Sequence, residues 1–186
     1  PRIWETWEKD KKPVGPGFKE PPYHIPASTP MLVINCQEKG LDDPRVRRAL
    51  AHFINYANIA DKAMSRYSEP ATASMLLPIG SDEKYYDQAN VDKHGWKYDV
   101  AEGQRILEEE VGAKKGKDGI YVLPDGTRLG PWKIRTPNGW SDWQDACRII
   151  ADNAKDAGID ISTEFPDQAQ VTEAVNNGNF HFAVWY

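Results

Sequence analysis

The alternation of apolar and polar positions along residues 31–186 predicts strands and helices in a repeating order. An unbroken apolar run at 31–36 (MLVINC) predicts a buried strand, whereas apolar residues spaced three or four apart predict helices. The first helix begins at Pro44 and follows Asp43, a residue type that caps helix N-termini. The apolar stripe of this helix comprises Val46, Ala49, Leu50 and Phe53.

The middle of the sequence is less regular. A second, shorter helix is predicted over 58–68, and the following stretch at 81–99 is polar and is expected to be irregular. Asp99 then caps a helix that Gly112 closes. The run at 119–137 predicts a hairpin, because its Pro-Asp-Gly supplies turn residues between flanks rich in strand formers.

From Lys133 onward the predicted order is strand, helix, strand, helix, strand. Ser141 can cap the long first helix, Gly158 ends it, and Asp167 caps the second helix. Such an order is typical of an α/β unit in which helices pack on a parallel or mixed sheet. We therefore expect residues 31–186 to form one α/β lobe.

Both ends of the sequence differ from this pattern. Residues 1–30 hold many prolines, which block helix interiors and central strands, so they predict an extended connecting segment. At the other end, 178–186 (GNFHFAVWY) is typical of a buried strand, whereas natural termini are usually polar. These features predict an internal piece of a longer protein, in which residues 1–30 pass over a neighbouring lobe.

Composition excludes several classes of function. The net charge is −5 and basic runs are short, so nucleic acid is not an expected partner. No apolar stretch approaches the roughly 18 residues of a membrane span. Cys36 and Cys147 lack the spacing of a zinc site, so no metal or other cofactor is predicted, and two buried thiols are favoured over a disulfide. The one excess is aromatic, with seven Trp and eight Tyr.

Three stretches together resemble a known family. They are DDPRVRRALAHFINYANIADKAM, YDVAEGQRILEEEVGA and IIADNAKDAGIDISTEFPDQAQVTEAVNNGNFHFAVW. Their order and spacing resemble the solute-binding proteins of peptide-type ABC importers, bacterial solute-binding protein family 5. The second stretch departs from the family pattern, since Glu-Glu-Glu-Val-Gly stands where Leu-Leu-x-x-Ala-Gly is typical.

The resemblance implies one lobe of a type II periplasmic-binding-protein fold, a mixed sheet with flanking helices. It implies a two-lobed protein, so the missing lobe of the same parent chain is an expected partner. It also implies a protein that captures a solute outside the membrane, at the cell surface or in the periplasm, and delivers it to an ABC permease without catalysis. The solute is expected to be an oligopeptide or a short oligosaccharide.

Candidate ligand contacts lie where strands end, because ligands of open α/β sheets bind outside the carboxyl ends of strands. One such end carries Asn138, Trp140 and Asp142, and the terminal strand carries Trp185 and Tyr186. Trp140 could instead pack as a hydrophobic staple on the following helix. The neighbouring Trp143 belongs to the apolar stripe of that helix and is therefore expected to be a core residue. The other members of this stripe are Ala146, Cys147, Ile150, Ala154 and Ala157.

Ligand class follows from the residue types at these ends. Peptide termini need buried partners of opposite charge, yet the terminal strand and the residues before it offer Asn, His and aromatic side chains without Arg, Lys or Asp. Aromatic faces and amides suit sugar rings, which favours an oligosaccharide. Two alternatives stay open: a glycoside-processing enzyme domain, which needs a pair of carboxylates in a cleft, and a protein-interaction module.

Overall fold

A computed structural model describes residues 9–12, 29–66, 70–71, 73–74, 76 and 80–186. Most of the proline-rich segment predicted at 1–30 lies outside these residues, so its extended course stays a prediction. Within the described ranges, no helix is long and apolar enough to cross a membrane.

A four-stranded mixed sheet forms the centre of the described residues, with strand order β1-β6-β4-β5. The strands are β1 (Met31–Ile34), β4 (Trp132–Arg135), β5 (Ile161–Glu164) and β6 (Phe182–Trp185). Strand β4 pairs in parallel with both β5 and β6, and β1 pairs antiparallel with β6, Met31 opposite Trp185. The carboxyl ends of three strands and the start of β1 therefore share one edge.

Helices α5 (Ser141–Ala157) and α6 (Gln168–Asn176) connect the parallel strands. Their two connections run in opposite directions across the sheet, so right-handed crossovers place them on opposite faces. The apolar stripe of α5 is buried and joins the main core. Val171 and Ala174 of α6 are also buried, but they lie outside that main cluster, as expected for the other face.

The main core also includes α1 (Pro44–Phe53), whose predicted stripe is buried. The side chain of Asp43 accepts the backbone N–H of Arg45, which confirms it as the N-cap. Helix α4 (Val100–Arg105) packs against α1 so closely that a Cβ at position 103 would lie 2.5 Å from Phe53 Cε1. Glycine is therefore the residue that lets these two helices meet.

Two helical segments continue as wider turns. Helix α2 (Tyr56–Asn58) runs into a π-helical turn at Ile59–Ala63, and α4 runs into another at Ile106–Val111, which Gly112 closes with a φ of +80°. The capped helix after Asp99 is thus confirmed. The second helix, predicted over 58–68, is confirmed only as far as Ala63, because Ser65 and Arg66 take positive φ values; residues 67–68 lie outside the described ranges. The expectation of an irregular 81–99 is wrong, because a 3-10 helix at Gly80–Tyr85 and α3 (Gln88–His94) lie there.

Helix α3 was missed because Val91 is its one large apolar residue. Asp87 caps it by accepting the N–H of Asn90, and none of its residues is buried. With no apolar stripe, the periodicity that predicts a surface helix is absent.

The predicted hairpin forms only at its turn. Gly126 takes a φ of +87°, and Val122 and Arg128 form an antiparallel bridge. The strand partner of β3 (Tyr121–Val122) is β2 (Lys114–Lys115), while the second arm leaves to become β4 in the main sheet. The cysteine prediction is half wrong: Cys147 is buried but Cys36 is exposed, and both are free thiols.

Candidate ligand-binding site

The candidate site lies at the edge of the sheet where β4, β5 and β6 end. The loop after β4 leads to α5 and the loop after β5 leads to α6, so the two loops part toward opposite faces. The N–H of Asn138 donates to the carbonyl of Pro166 at 2.8 Å and joins the two loops. A divergence of this kind is where open α/β sheets hold ligands.

A tight turn at residues 137–140 displays the first group of candidate residues. The N–H of Trp140 donates to the carbonyl of Pro137 at 3.4 Å. Gly139 takes a φ of +89°, a conformation that residues with a Cβ avoid. The turn leaves Asn138 exposed at its tip and sets Trp140 at the position just before α5.

An aromatic cluster of Trp140, Trp143, Trp185 and Tyr186 joins the two predicted strand ends. The ring of Trp140 is parallel to that of Trp185 within 3°, with centroids 5.8 Å apart, and it also stacks on Tyr186 at 6.2 Å. Trp185 and Tyr186 stack at 5.2 Å. Three of the candidate residues therefore form one set of parallel rings, of which Tyr186 is the most exposed, at 58%.

Trp143 packs against this stack from the buried side. It is buried, as expected for a core residue, and its ring meets Trp140 edge-on at 4.8 Å and Tyr186 edge-on at 5.8 Å. Edge-to-face contacts of this kind hold aromatic rings in fixed orientations. Trp140 thus packs on the helix and also presents a ring in the stack.

The start of α5 differs from the sequence prediction. Ser141 is the first helical residue rather than the N-cap, and Trp140, which has no capping side chain, occupies that position. The ring contacts of Trp140 fix the chain here in place of a side-chain cap. Thr136, which is buried, adds a second link by donating its hydroxyl to the carbonyl of Val184 at 3.3 Å.

Two polar candidates flank the aromatic cluster. Asp142 is exposed, and its carboxylate accepts the N–H of Trp143 at 3.0 Å. Among the described residues Asp142 forms no ion pair, and its exposed carboxylate is open to solvent. The side-chain oxygen of Asn138 accepts a hydrogen bond from Nε2 of Gln144 at 3.3 Å. The structure thus brings the five candidate residues to one rim, and the sequence analysis missed Gln144.

The other charged and reactive groups near this edge are already engaged. Arg148 pairs with Asp145 at 2.6 Å, and its guanidinium lies 4.9 Å from the ring centre of Phe165. Burial raises the pKa of Cys147 to about 12, so its thiol is not a nucleophile near neutral pH.

A carboxylate and an imidazole away from this edge make structural contacts. Glu108 accepts the hydroxyl of Tyr121 at 2.6 Å, and Nδ1 of the buried His52 lies 2.9 Å from the carbonyl of Lys97. Asp142 is the one carboxylate among the five rim candidates, whereas glycoside hydrolysis uses two. Across the described ranges, no group of three or more His, Cys, Asp or Glu side chains is arranged to hold a metal ion.

A large cavity lies elsewhere, on the core face of β1. It measures about 720 Å³, and none of the five rim candidates lines it. Its wall is mostly apolar and includes Leu32, Leu50, Ile54, Ile59, Met64 and Ile150. The two arginines in the wall donate to backbone carbonyls, Arg47 to Leu41 and Arg48 to Gly95. A ligand site needs a few converging polar groups, so we place the candidate site at the rim.

Comparison with known proteins gives concordant matches. A family model described as "Bacterial extracellular solute-binding proteins, family 5 Middle" matches residues 1–186. The glutathione-binding protein of Pectobacterium atrosepticum is 32% identical over 78 residues, which cover 42% of this chain and 14% of that protein.

Two crystal structures from Thermotoga maritima are similar over nearly the whole chain. One is a mannohexaose-bound periplasmic oligopeptide-binding protein of an oligopeptide ABC transporter, with 32% identity and a TM-score of 0.83 over 90% of this chain and 31% of that chain. The other, also a periplasmic oligopeptide-binding protein, has 28% identity and a TM-score of 0.87 over 98% of this chain and 33% of that one. The chain therefore spans about a third of the length of these solved relatives.

Proposed function

Because the chain belongs to the family 5 extracellular solute-binding proteins of bacteria, we propose that its aromatic rim is the cargo-contacting part of an ABC-transporter solute-binding protein. The fold expected from the resemblance, a lobe of a periplasmic-binding-protein type with a mixed sheet and flanking helices, is confirmed. The observation that carries the proposal is the parallel stack of Trp140, Trp185 and Tyr186, flanked by an amide and an unpaired carboxylate.

The cargo we propose is a short, neutral oligosaccharide. The C–H face of a pyranose stacks on an aromatic ring, and its hydroxyls need donors and acceptors at the edge of that ring. Tyr186 offers an exposed ring, Asn138 offers an amide and Asp142 offers an acceptor. A relative with 32% identity carries mannohexaose in its crystal structure, which supports this class.

An oligopeptide is the second candidate, and the rim offers it less. A peptide carries a cationic and an anionic end, and each end is held best by an opposite charge. Asp142 could pair with an amino terminus, but two arginines described near this edge, Arg135 and Arg148, are paired with Glu164 and Asp145. The names of the relatives, oligopeptide-binding and glutathione-binding, keep the peptide class as the alternative to test.

The remaining parts of the proposal concern the whole protein. We place it outside the cytoplasmic membrane, in the periplasm or at the cell surface, where it hands its cargo to an ABC permease without chemical change. The part of the parent protein beyond this chain would supply the opposing lobe, which closes over the rim. Family membership supports each of these statements.

Titration calorimetry on the full-length protein tests the cargo class. We expect mannohexaose to bind, short neutral peptides to bind more weakly or not at all, and Trp140→Ala to weaken mannohexaose binding by about tenfold or more. Trp132→Phe, a substitution in the buried core away from the rim, is the control and should leave the affinity unchanged. Binding of peptides alone, or an unaffected Trp140→Ala variant, would overturn the sugar assignment, and turnover of any ligand would overturn the absence of catalysis.

A further inference from the structure

We propose that Gln144 is a positioning residue that orients the side-chain amide of Asn138, so that the rim presents a hydrogen-bond donor to the cargo. This inference rests on the proposed function of the rim. It concerns a residue of α5 that the aromatic and polar patterns of the sequence do not single out.

The orientation of the Asn138 amide follows from its partner. The Nε2 group of Gln144 can only donate, and it donates to the side-chain oxygen of Asn138 at 3.3 Å. That contact directs the oxygen of Asn138 toward α5 and leaves its NH₂ group on the opposite side. Among the described residues, no group accepts a hydrogen bond from this NH₂ group, and Asn138 is exposed.

The backbone on both sides of the pair is fixed. The N–H of Asn138 is held by the carbonyl of Pro166 at 2.8 Å, and the N–H of Gln144 is held by the carbonyl of Trp140 at 2.9 Å. The side chain of Gln144 also donates to the carbonyl of Pro137, at 3.4 Å. One glutamine amide thus joins the start of the turn, its tip and the helix that carries the aromatic cluster.

The consequence is a division of roles at the rim. Asp142 carries only acceptor oxygens, whereas Asn138, oriented by Gln144, offers two N–H donors. A hydroxyl both donates and accepts, so neighbouring hydroxyls of one pyranose are satisfied by such a pair of groups. If the amide of Asn138 were reversed, both groups would present acceptors, and a hydroxyl lone pair would lose its donor.

A double-mutant cycle on the full-length protein tests this role, with mannohexaose as the probe and calorimetry as the readout. We expect Asn138→Ala and Gln144→Met each to weaken binding by about fivefold. The double variant should be no weaker than either single variant, because both remove the same oriented donor. Additive losses, or a loss from Gln144→Met that persists in the Asn138→Ala background, would overturn the positioning role.

Two further substitutions, one isosteric and one that keeps a donor, separate orientation from packing. Gln144→Glu keeps the shape of the side chain but supplies acceptors only, so we expect it to weaken binding at least as much as Gln144→Met. Gln144→Lys keeps a donor of similar reach and should restore most of the affinity. Equal affinities in all three variants would contradict the inference, even if their melting temperatures differed.

The Trp140→Ala variant distinguishes the two levels of the proposal. If Trp140→Ala weakens binding and the cycle is additive, the rim binds the sugar but Gln144 does not orient Asn138. If the unsubstituted protein does not bind mannohexaose, or Trp140→Ala has no effect, the proposed function itself fails and this inference fails with it.

Discussion

The rim at the end of β6 and the cavity beside β1 are both rich in apolar side chains, yet they differ in the state of their polar groups. In the cavity wall, the guanidinium groups of Arg47 and Arg48 donate to backbone carbonyls. At the rim, the carboxylate of Asp142 has no ion-pair partner within the described part of the chain. The cavity wall therefore holds guanidinium groups that already donate to the protein, whereas the rim has an exposed carboxylate that can still accept hydrogen bonds from a polar ligand.

The two regions also differ in how their aromatic residues are held. The rings of the rim contact one another in parallel and edge-on arrangements, which fixes their orientation before any ligand arrives. The cavity wall combines aliphatic side chains such as Met64 and Ile59 with the rings of Tyr56 and Trp96, which do not stack on each other in the described residues. Preorganised groups lose less entropy on binding, so the comparison favours the rim as the specific site. The following predictions test that comparison in order of decreasing effect.

The largest effect is expected in the cavity wall, on stability alone. Leu50 is 1% exposed and belongs to both the wall and the main core, so Leu50→Ala should lower the free energy of unfolding by about 2–5 kcal/mol. Urea denaturation of the full-length protein measures this loss. Met64→Ala, in the more exposed part of the wall, should cost less, and neither variant should change the affinity for mannohexaose. A loss of affinity in either variant would indicate that the ligand binds at the cavity rather than at the rim.

Gly139→Ala should produce an intermediate effect on both stability and binding. Gly139 has a φ of +89°, so alanine there costs about 1–2 kcal/mol of strain and shifts the turn that carries Asn138 and Trp140. Gly126→Ala is a matched control, since Gly126 has a φ of +87° and neither glycine has an atom within 4 Å of an added Cβ. Both variants should lose similar stability in thermal melts.

Binding separates the two glycine variants. Only Gly139→Ala should weaken binding of mannohexaose, because Gly126 lies in the hairpin turn between β3 and β4. Equal affinities for the two variants would show that the 137–140 turn does not contact the cargo.

Asp142→Asn should have a small effect if the cargo is a neutral sugar. The amide oxygen still accepts a hydrogen bond from a hydroxyl, so we expect calorimetry to show less than about a threefold change in affinity for mannohexaose. A peptide amino terminus would instead lose its counter-charge, and affinity for short peptides would then fall by about tenfold or more. The ratio of the two effects sharpens the choice between the two cargo classes.

The smallest effect is expected from labelling the cysteines. Iodoacetamide near neutral pH should modify the exposed Cys36 at the cavity and leave Cys147 intact, because burial raises the pKa of Cys147 to about 12. Affinity for mannohexaose should not change after labelling. Peptide mass mapping identifies the modified residue, and protection of Cys36 would indicate that another part of the parent protein covers the cavity.

Local sequence rules predicted the regular elements well. The three aspartates expected at helix starts, Asp43, Asp99 and Asp167, all accept a backbone N–H of the first turn. They succeed because capping is decided within four residues of the chain. Ser141 fails as a cap because the contacts of Trp140 with Trp185 and Tyr186, far along the sequence, set the start of α5.

The candidate site could be predicted in its members but not in its arrangement. The rule that ligands bind at the carboxyl ends of strands identified both strand ends, and the pairing of β4 with β6 brings them together. The stacking of the rings and the bond between Gln144 and Asn138 depend on side-chain orientations across separate elements. A glutamine in the first turns of a helix is too common to mark such a role from sequence alone.

The parallel indoles of Trp140 and Trp185 have a practical consequence. Indole emission and near-ultraviolet circular dichroism respond to the polarity and geometry around the ring, and two of the seven tryptophans lie in this stack. Arrival of a cargo molecule at the rim should therefore be visible spectroscopically, with no dye attached to the protein.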